Sequence, residues 1–286
     1  MTKWIYITVE NFNREVHAKL LLTCYGIRKN YNVVLGEKNL LRQILTNFPK
    51  GTIIEKSLGP GLVSKMKEWK NYGHKIVGLD EEALTYFSDK QYFNLNIAKD
   101  IHKLADKLFL LGRRHEKTIK KKVPNNYYKI IGNPRYDMFN KKFKSIFYDD
   151  VKEIKKRHGK FVLITSRFGN VNLNRTSIGS VSKLLDKRYQ DQSILLSKKF
   201  EEMILFLAKN LKNYKIILRP HPSESLKFWK KKLSKFDNCD VIYEKNVAPW
   251  ILASESMIQN RCTTGVESFL LGRKTISFDP LKNLDP

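Results

Sequence analysis

The 286-residue chain has 54 Lys and Arg residues against 28 Asp and Glu, a formal net charge of +26, and a hydrophobic content of 42%. This composition excludes a disordered chain, and the length predicts two domains of about 100–200 residues each. No apolar run approaches the ~18 residues of a membrane helix, and the first residues lack the layout of a signal peptide. We therefore expect a cytoplasmic protein, with peripheral contact at the inner membrane face as an open alternative.

The positive charge is spread along the chain as lysine, which is typical of a solvated surface with a compositional bias. Contact with anionic lipid or an anionic substrate is the alternative. No RNP or zinc-finger pattern accompanies the charge, so no specific nucleic acid partner is predicted. Cys24, Cys239 and Cys262 are too far apart for a disulfide framework or a zinc knuckle, and we expect them to be small buried residues.

Short apolar, β-rich segments alternate with helical periods along the first half of the chain. This alternation is typical of parallel strands joined by crossover helices. The clearest helix, "REVHAKLLLTCYGIRK", places Val16, Leu20 and Cys24 on one face, which we expect to be buried. The predicted strands are Trp4–Val9, Tyr31–Gly36, Thr52–Ser57, His74–Leu79, Lys107–Gly112 and Tyr127–Gly132.

The alternation stops in a charged, aromatic-rich stretch from Asn140 to His158 and then restarts. The stretch is typical of a linker that runs into a helix. We therefore predict an α/β fold of two Rossmann-like domains, at residues 1–140 and 155–286, joined by a linker at 141–154. The predicted strands of the second half are Lys160–Ser166, Tyr214–Pro220, Cys239–Lys245, "SMIQN" and "KTISFD", and its helices are Lys198–Lys212, "APWILASES" and "GVESFLLG".

Two clusters of charged side chains follow predicted strands of the first half: Glu10, Arg14 and Glu15 after the first strand, and Asp80, Glu81 and Glu82 after the fourth. Ligands of parallel sheets bind beyond the carboxyl ends of the strands. A carboxylate at that position can act as a general base or as a nucleophile toward a sugar carbon. Acidic residues also favour the first turn of a helix, so a plain helix start is the alternative for the second cluster.

The second half has three polar clusters at strand ends. The first, "ITSRFGNVNLNR", contains Thr165, Ser166, Arg167, Asn170 and Asn172. The second, "RPHPSES", offers an arginine and a histidine in a turn that two prolines fix. The third, "NRCTTGVES", leads from a strand into a helix, whose free N–H groups and positive dipole end favour an anion.

A guanidinium, an imidazole and a helix N-terminus on adjacent strands match a phosphate or diphosphate. Arg219 and His221 would supply the first two groups. At the helix start, Gly265 would let the backbone approach the ligand closely. A plain N-cap at Thr263 or Thr264 is the alternative for the third group, and a histidine satisfied within its own turn is the alternative for the second.

Several chemistries lack their sequence signature in this chain. There is no Walker A motif, no GxGxxG and no GxSxG, which weighs against ATP hydrolysis, dinucleotide binding and an α/β-hydrolase. No DxD pair and no His/Cys/carboxylate cluster has the spacing of a metal site, so neither a metal ion nor a cofactor is predicted.

The chain resembles the bacterial surface carbohydrate biosynthesis proteins, which are related to GT-B glycosyltransferases and to transferases that use CMP-Kdo. The resemblance rests on "GLDEEAL", "IIGNPRYDMF", "LITSRFGNVN", "RPHPSES" and "TTGVESFLLGRKTISF" in this order, and it spans nearly the whole chain. The His-Pro pair is also similar to the motif with which bacterial sialyltransferases and polysialyltransferases hold CMP. The resemblance implies two Rossmann-like domains whose parallel sheets face a central cleft.

The resemblance also implies roles for individual residues. The first domain would bind a glycan or lipid-linked acceptor and supply a catalytic carboxylate from Asp80, Glu81 or Glu82. The second would bind a nucleotide-sugar donor, with CMP as the expected nucleotide. Because GT-B enzymes commonly continue beyond the last strand into helices, the ending "DPLKNLDP" implies a shortened second domain. Nucleotide and phosphate contacts are expected from Arg219, His221, Pro222, Thr263, Thr264, Gly265 and Glu267, and further substrate contacts from Glu10, Arg14, Asn133, Arg135, Ser166, Arg167 and Asn170.

The sequence thus predicts a metal-independent glycosyltransferase that moves a sugar, Kdo or another CMP-activated one, to a surface polysaccharide or its lipid-linked precursor. A CDP-glycerol or CDP-ribitol phosphotransferase is the first alternative, since such proteins also place histidine and proline at the phosphate site. A non-catalytic basic binding protein is the second alternative.

Overall fold

The computed structural model describes residues 3–81, 83, 84, 86, 88–169, 171, 172, 187–260 and 262–281. The chain divides into two compact units, Met1–Phe143 and Lys144–Pro286, which we call unit 1 and unit 2. Each unit has its own parallel sheet and its own hydrophobic core.

Unit 1 is built on a six-stranded parallel sheet. The strands are β1 (Lys3–Val9), β2 (Tyr31–Glu37), β3 (Gly51–Glu55), β4 (Lys75–Leu79), β5 (Lys107–Leu110) and β6 (Tyr128–Ile130). Their spatial order is β2-β1-β3-β4-β5-β6. The order reverses between β1 and β3, which makes the carboxyl ends of these two strands the topological switch point of the sheet.

Seven α-helices of unit 1 are described, two of them single turns. They are α1 (Phe12–Arg28), α2 (Lys38–Ile44), α3 (Val63–Asn71), α4 (Asp89–Leu95), α5 (Ile101–Leu104), α6 (Arg113–Ile119) and α7 (Pro134–Asp137). Short 3-10 helices occupy Leu45–Asn47, Pro60–Leu62 and Asn125–Tyr127. Tyr6, Ile53, Trp69 and Ile76 are completely buried between the sheet and these helices.

The predicted apolar face of α1 is wrong. Leu20 and Cys24 are exposed, and the residues that α1 buries are Glu15, Ala18 and Lys19. Two of these are charged, and each has an ion-pair partner on a strand end of the sheet. Hydrophobic periodicity failed here because it treats charged residues as solvated. The expectation of three buried cysteines is also wrong, since Cys24 is exposed and Cys239 and Cys262 are half-buried.

Unit 2 is built on a five-stranded parallel sheet. Its strands are β7 (Phe161–Thr165), β8 (Lys215–Arg219), β9 (Cys239–Val241), β10 (Ser256–Gln259) and β11 (Thr275–Ser277). The spatial order is β11-β10-β7-β8-β9, which is the strand order of a Rossmann half with its switch point between β7 and β10. The expectation that β8 and β10 are adjacent is therefore wrong, because β7 lies between them.

The helices of unit 2 flank this sheet. They are α8 (Tyr148–His158), α9 (Lys187–Asn210), α10 (Leu226–Leu233), α11 (Val247–Ala253) and α12 (Thr263–Leu270), with a 3-10 helix at Lys144–Phe147. Phe200, Ile216, Leu218 and Trp229 are buried in the core. None of the helices in the described parts of the chain is long and apolar enough to cross a membrane.

Candidate functional site

At the carboxyl edge of the unit 2 sheet, three strands that precede polar segments end in register with one another. Thr165 at the end of β7 is in register with Arg219 of β8 and with Gln259 of β10. Because neighbouring strands are about 4.8 Å apart, the segments that follow β8 and β10 flank the end of β7 at about 10 Å from each other. The His221 turn and the start of α12 thus lie on either side of the switch point.

The turn after β8 fixes the ring of His221 by local hydrogen bonds. The backbone N–H of Ser223 donates to Nδ1 of His221 at 3.2 Å, and the Ser223 hydroxyl lies 2.7 Å from the same nitrogen. Since a backbone N–H can only donate, Nδ1 accepts and the proton of the neutral imidazole is on Nε2. The half-buried His221 is thereby held as an Nε2 donor, while Pro222 beside it is exposed.

Glu224, two residues after Pro222, connects this turn with the segment that follows β7. Its buried carboxylate accepts hydrogen bonds from Ser166 Oγ, from the backbone N–H groups of Phe168 and His221, and from Trp229 Nε1, at 2.8 to 3.1 Å. Burial raises the pKa of Glu224, and these hydrogen bonds oppose that effect. The sequence reasoning missed this residue because a glutamate in a polar turn is usually solvated.

The segment after β7 packs directly on the His221 turn. A Cβ atom added to Gly169 would lie 1.9 Å from Ser223 Oγ and 2.9 Å from its Cβ, so only glycine fits there. The backbone N–H of Ser225 donates to the carbonyl of Asn172 at 3.1 Å. The described residues of the two strand-end segments, 166–169, 171, 172 and 221–225, therefore form one layer, which we call the Glu224 clamp.

The start of α12 forms the other side of the switch point. Its N-cap residue is Cys262, which makes no side-chain capping hydrogen bond, so the threonine N-cap considered from sequence is wrong. The Thr264 hydroxyl is instead 2.9 Å from the hydroxyl of Thr165 on β7. A Cβ at Gly265 would come within 2.9 Å of the Gln259 side chain. The absence of a side chain at Gly265 thus permits packing on β10, and its expected role in letting the backbone approach a ligand stays a prediction.

Arg219 is occupied within the protein. Its guanidinium donates to the carbonyls of Glu244 and Lys245 at 2.5 and 2.6 Å and lies over the ring of Tyr243. Burial lowers the pKa of Arg219 to about 10, against the opposing effect of nearby negative groups that include Glu267. The arginine therefore stays charged at neutral pH and braces the segment after β9. Its expected contact with a phosphate stays a prediction.

The remaining predicted residues of unit 2 lie at different depths. Glu267 is completely buried in α12, so a nucleotide contact would require its exposure. Ser166 is buried against Glu224, and Arg167 next to it is exposed. Thr263 is half-buried at the first position of α12. Asn170, and Glu82 of unit 1, lie outside the described residues.

In unit 1, Asp80 at the end of β4 belongs to a hydrogen-bonded chain. The N–H of Leu111 donates to His115 Nδ1 at 3.3 Å, so the ring proton is on Nε2, which lies 2.7 Å from the Tyr92 hydroxyl. That hydroxyl donates to Asp80 Oδ2 at 2.7 Å. Burial lowers the pKa of His115 to about 4, and it also raises the pKa of Tyr92. The hydrogen bonds from His115 to Tyr92 and from Tyr92 to Asp80 therefore hold the Asp80 carboxylate in a fixed orientation.

Glu81 is committed to a different partner. Its carboxylate forms an ion pair with Lys19 of α1 at 3.0 Å, and both side chains are almost fully buried. The residue lies in a turn, and α4 begins only at Asp89, so the expected helix start at the acidic cluster is wrong. Asn133 caps α7 and its side chain donates to the Glu81 carbonyl at 3.4 Å. Arg135 is buried in α7, which packs on α1.

A charge network fills the switch point of unit 1, at the ends of β1 and β3. Glu10 pairs with Lys38 and Lys56, and Glu15 accepts from Lys56 at 2.9 Å and from Arg14 at 3.2 Å. Burial alone would raise the pKa of Glu10, but its two lysine partners outweigh burial and lower that pKa to about 2. A carboxylate with so low a pKa is a poor general base at neutral pH.

The described residues offer no metal site. Among them, no group of three or more His, Cys, Asp or Glu side chains is arranged to hold a metal ion. The chemistry that these sites offer is hydrogen-bond donation to an anion in unit 2 and a held carboxylate in unit 1.

Comparison with known proteins identifies the fold. No protein-family model and no curated protein matches the chain. Among solved structures, the wall teichoic acid polymerase TagF soaked with CDPG superposes with a TM-score of 0.57 at 13% identity, covering 99% of this chain and 72% of that one. The UDP-N-acetylglucosamine 2-epimerase of Rickettsia bellii gives 0.61 at 12% identity, covering 98% and 80%. The S. aureus MnaA structure with UDP gives 0.62 at 12% identity, with the same coverage.

The chain has the GT-B type of fold. Its two parallel-sheet α/β units match these structures over nearly its whole length, so the predicted fold class is confirmed. At these identities the similarity concerns the fold alone, and the activity has to be argued from the sites.

Proposed function

We propose that the chain is a GT-B enzyme of bacterial surface carbohydrate synthesis that transfers a group from a nucleotide-linked donor. Unit 2 would bind the nucleotide and its phosphates at the switch point between β7 and β10, and unit 1 would bind the acceptor. Support comes from similar structures solved with CDPG and UDP. The observation on which the proposal chiefly rests is His221, held as an Nε2 donor on one side of β7 while the uncapped start of α12 lies on the other.

These two groups supply what a departing phosphate requires. The imidazole N–H and the N-terminal N–H groups of α12 would donate to the phosphate oxygens, and the helix dipole would favour their charge. Positioned donors of this kind stabilise charge that develops in the transition state. Arg219 would add its buried positive charge without direct contact, since its guanidinium is bonded to backbone carbonyls.

Asp80 is the best candidate for the catalytic carboxylate. Glu81 is paired with Lys19, and the low pKa of Glu10 makes that residue a weak base. Asp80 is oriented by a neutral donor, the Tyr92 hydroxyl, at the carboxyl end of β4. It would deprotonate the acceptor or attack the transferred group, and inversion and retention are both compatible with this assignment.

The donor class has two candidates. A CMP-activated sugar, with Kdo as one example, is what the sequence resemblance implies. A CDP-linked polyol phosphate is favoured by the superposition on TagF, which was soaked with CDPG. A UDP-sugar is the further alternative that the UDP-N-acetylglucosamine 2-epimerase and the MnaA structure with UDP suggest.

A nucleotide panel tests the proposal. Thermal shift and calorimetry with CMP, CDP, CDP-glycerol, UDP and UDP-GlcNAc would identify the class, because a ligand that binds only the folded state raises its melting temperature. Binding of CMP without CDP-glycerol favours a CMP-sugar, and the reverse favours the polyol phosphate. If no nucleotide binds and salt-sensitive RNA binding is seen, the enzyme proposal is wrong.

His221→Ala is the first variant to measure. It removes the Nε2 donor while leaving the backbone of the turn, so we expect nucleotide affinity to fall by about tenfold or more. The melting temperature of the free protein should change little, because the ring is half-buried. His102→Ala replaces a half-buried histidine of unit 1 as the matched control. Equal nucleotide affinity in the His221→Ala variant and the wild type would remove His221 from the site.

A further inference from the structure

Glu224 is a buried acid with an unusual set of neighbours. Its side chain is 1% exposed, although it belongs to a turn whose other residues, His221 to Ser225, are at least partly accessible. The donors to its carboxylate come from the segment after β7, from the turn after β8 and from α10. One carboxylate thus fixes three separate segments at the switch point.

The donors are divided between the two carboxylate oxygens. Oε1 accepts from the N–H groups of Phe168 and His221 at 2.9 and 3.1 Å, while Oε2 accepts from Trp229 Nε1 at 2.8 Å. The Ser166 hydroxyl lies 2.9 and 3.0 Å from the two oxygens. All of these donors are neutral groups, so no positive charge compensates the buried carboxylate. Its burial depends on these hydrogen bonds, which use both of its oxygens as acceptors.

We infer that Glu224 is the positioning residue of the nucleotide site. Its carboxylate holds the His221 backbone and the Gly169 segment against each other, so that the imidazole is presented in one orientation with Nε2 as the donor. This inference rests on the proposed function and adds a residue that touches no ligand. Glu224 thereby determines how well the site is formed before the nucleotide arrives, which sets the ordering cost of binding.

The inference follows from how the turn is built. Nδ1 of His221 accepts from Ser223 N–H only while the turn keeps its present shape, and Gly169 packs on the same serine. The His221 N–H donates to Glu224 Oε1, and this hydrogen bond joins the first residue of the turn to its buried side. Without that bond only the Ser225–Asn172 hydrogen bond and the Gly169 contact hold the turn on the segment after β7, and both ring tautomers of His221 become available.

The Glu224→Gln variant distinguishes the hydrogen-bonding role of this side chain from its packing role. Glutamine has the shape of glutamate, but one of its two acceptor oxygens is replaced by an NH₂ donor. With its oxygen toward Phe168 and His221, its NH₂ group faces the N–H of Trp229, donor against donor. With its oxygen toward Trp229, its NH₂ group faces the N–H groups of Phe168 and His221, and the bond that fixes the turn is lost. The Ser166 hydroxyl can turn to accept, but the indole cannot. Trp229→Phe removes the opposed donor. The substitution Glu224→Gln should therefore be harmful alone and tolerated beside Trp229→Phe.

The experiment is a double-mutant cycle on nucleotide affinity, measured by calorimetry with CMP, CDP and UDP. We expect Glu224→Gln to weaken binding of the nucleotide that the wild type prefers by about tenfold or more. In the Trp229→Phe background the same change should cost about threefold or less. Glu55→Gln, a change at an equally buried acid in unit 1, is the control and should leave affinity unchanged.

A second measurement needs no nucleotide. The ¹⁵N chemical shifts of the His221 ring should show an unprotonated Nδ1 in the wild type and in the double variant, and a mixture of tautomers in Glu224→Gln. Unchanged affinity and an unchanged His221 tautomer in Glu224→Gln overturn the inference. A wild type that binds no nucleotide overturns the proposed function instead, and the tautomer measurement then decides on its own whether Glu224 positions His221.

Discussion

At the scale of single residues, His115 links the held Asp80 to the stability of unit 1. Burial lowers the pKa of His115 from 6.5 to about 4, so the unfolded chain binds a proton in this interval that the folded protein does not. The contribution of His115 to stability is therefore complete above pH 6.5 and is lost as the pH decreases toward 4, by an amount on the order of 3 kcal/mol. We expect His115→Gln to reduce this slope in urea unfolding between pH 7.5 and 4.

Two other histidines with lowered pKa values serve as the internal control. Burial is also the first cause that lowers the pKa values of His74 and His158, and both residues keep their share of the slope in the variant. The difference between the two proteins therefore reports His115 alone. Parallel unfolding curves for wild type and variant across this pH range would mean that His115 is not held neutral in the folded state.

Single residues were also where sequence reasoning reached its limit. It proposed Asp80 and His221 as site residues because polar residues directly after a strand lie at the ligand edge of a parallel sheet. It missed Lys19 and Glu224, since charged side chains are rarely buried and nothing local reveals their partners. It also did not predict that Arg219 bonds to backbone carbonyls. The sequence does not distinguish an arginine that donates to backbone carbonyls from one that donates to a phosphate.

At the scale of elements, the Glu224 clamp depends on the close approach of two segments at Gly169. An alanine methyl at that position would overlap Ser223 Oγ, which itself contacts His221 Nδ1. We expect Gly169→Ala to separate the segments, with a loss of stability of about 1–3 kcal/mol and weaker nucleotide binding. Chemical denaturation and calorimetry on the same samples would measure both effects.

Two further variants sharpen this test. Gly61→Ala adds a methyl where no atom lies within 4 Å, so it should leave stability and binding near those of the wild type. Adding Ser223→Gly to Gly169→Ala removes the overlapping side chain and should recover stability. If Gly169→Ala is as harmless as Gly61→Ala, the two segments do not pack as closely as the Glu224 clamp requires.

Elements were predicted more successfully than the contacts between them. The predicted strands match β1 to β11 in place, because β-branched and aromatic runs separated by turn residues are a local signal. The position of β7 between β8 and β10 was not predicted. Strand order depends on where each crossover passes over the sheet, and a single sequence does not record that choice. The helix Lys187–Asn210 is longer than predicted, since its polar beginning lacks an apolar period.

At the scale of the whole molecule, the two α/β units were predictable because strand and helix periods alternate throughout the chain. The net charge of +26 has a less direct meaning. A surface so rich in lysine attracts any polyanion, and such attraction is a property of the summed charge, with no particular site required. A nucleotide held at the carboxyl edge of the unit 2 sheet would be recognised by a few directed donors instead.

Salt dependence distinguishes these two kinds of binding. Affinity for a mixed-sequence RNA should fall by orders of magnitude between about 50 and 200 mM salt, since neutralised phosphates release their counterions. Nucleotide affinity should fall by only about threefold over the same range, because few charges are involved. His221→Ala should leave RNA binding unchanged while it weakens nucleotide binding. RNA binding that withstands high salt and disappears in the His221→Ala variant would instead mark the unit 2 site as specific for nucleic acid.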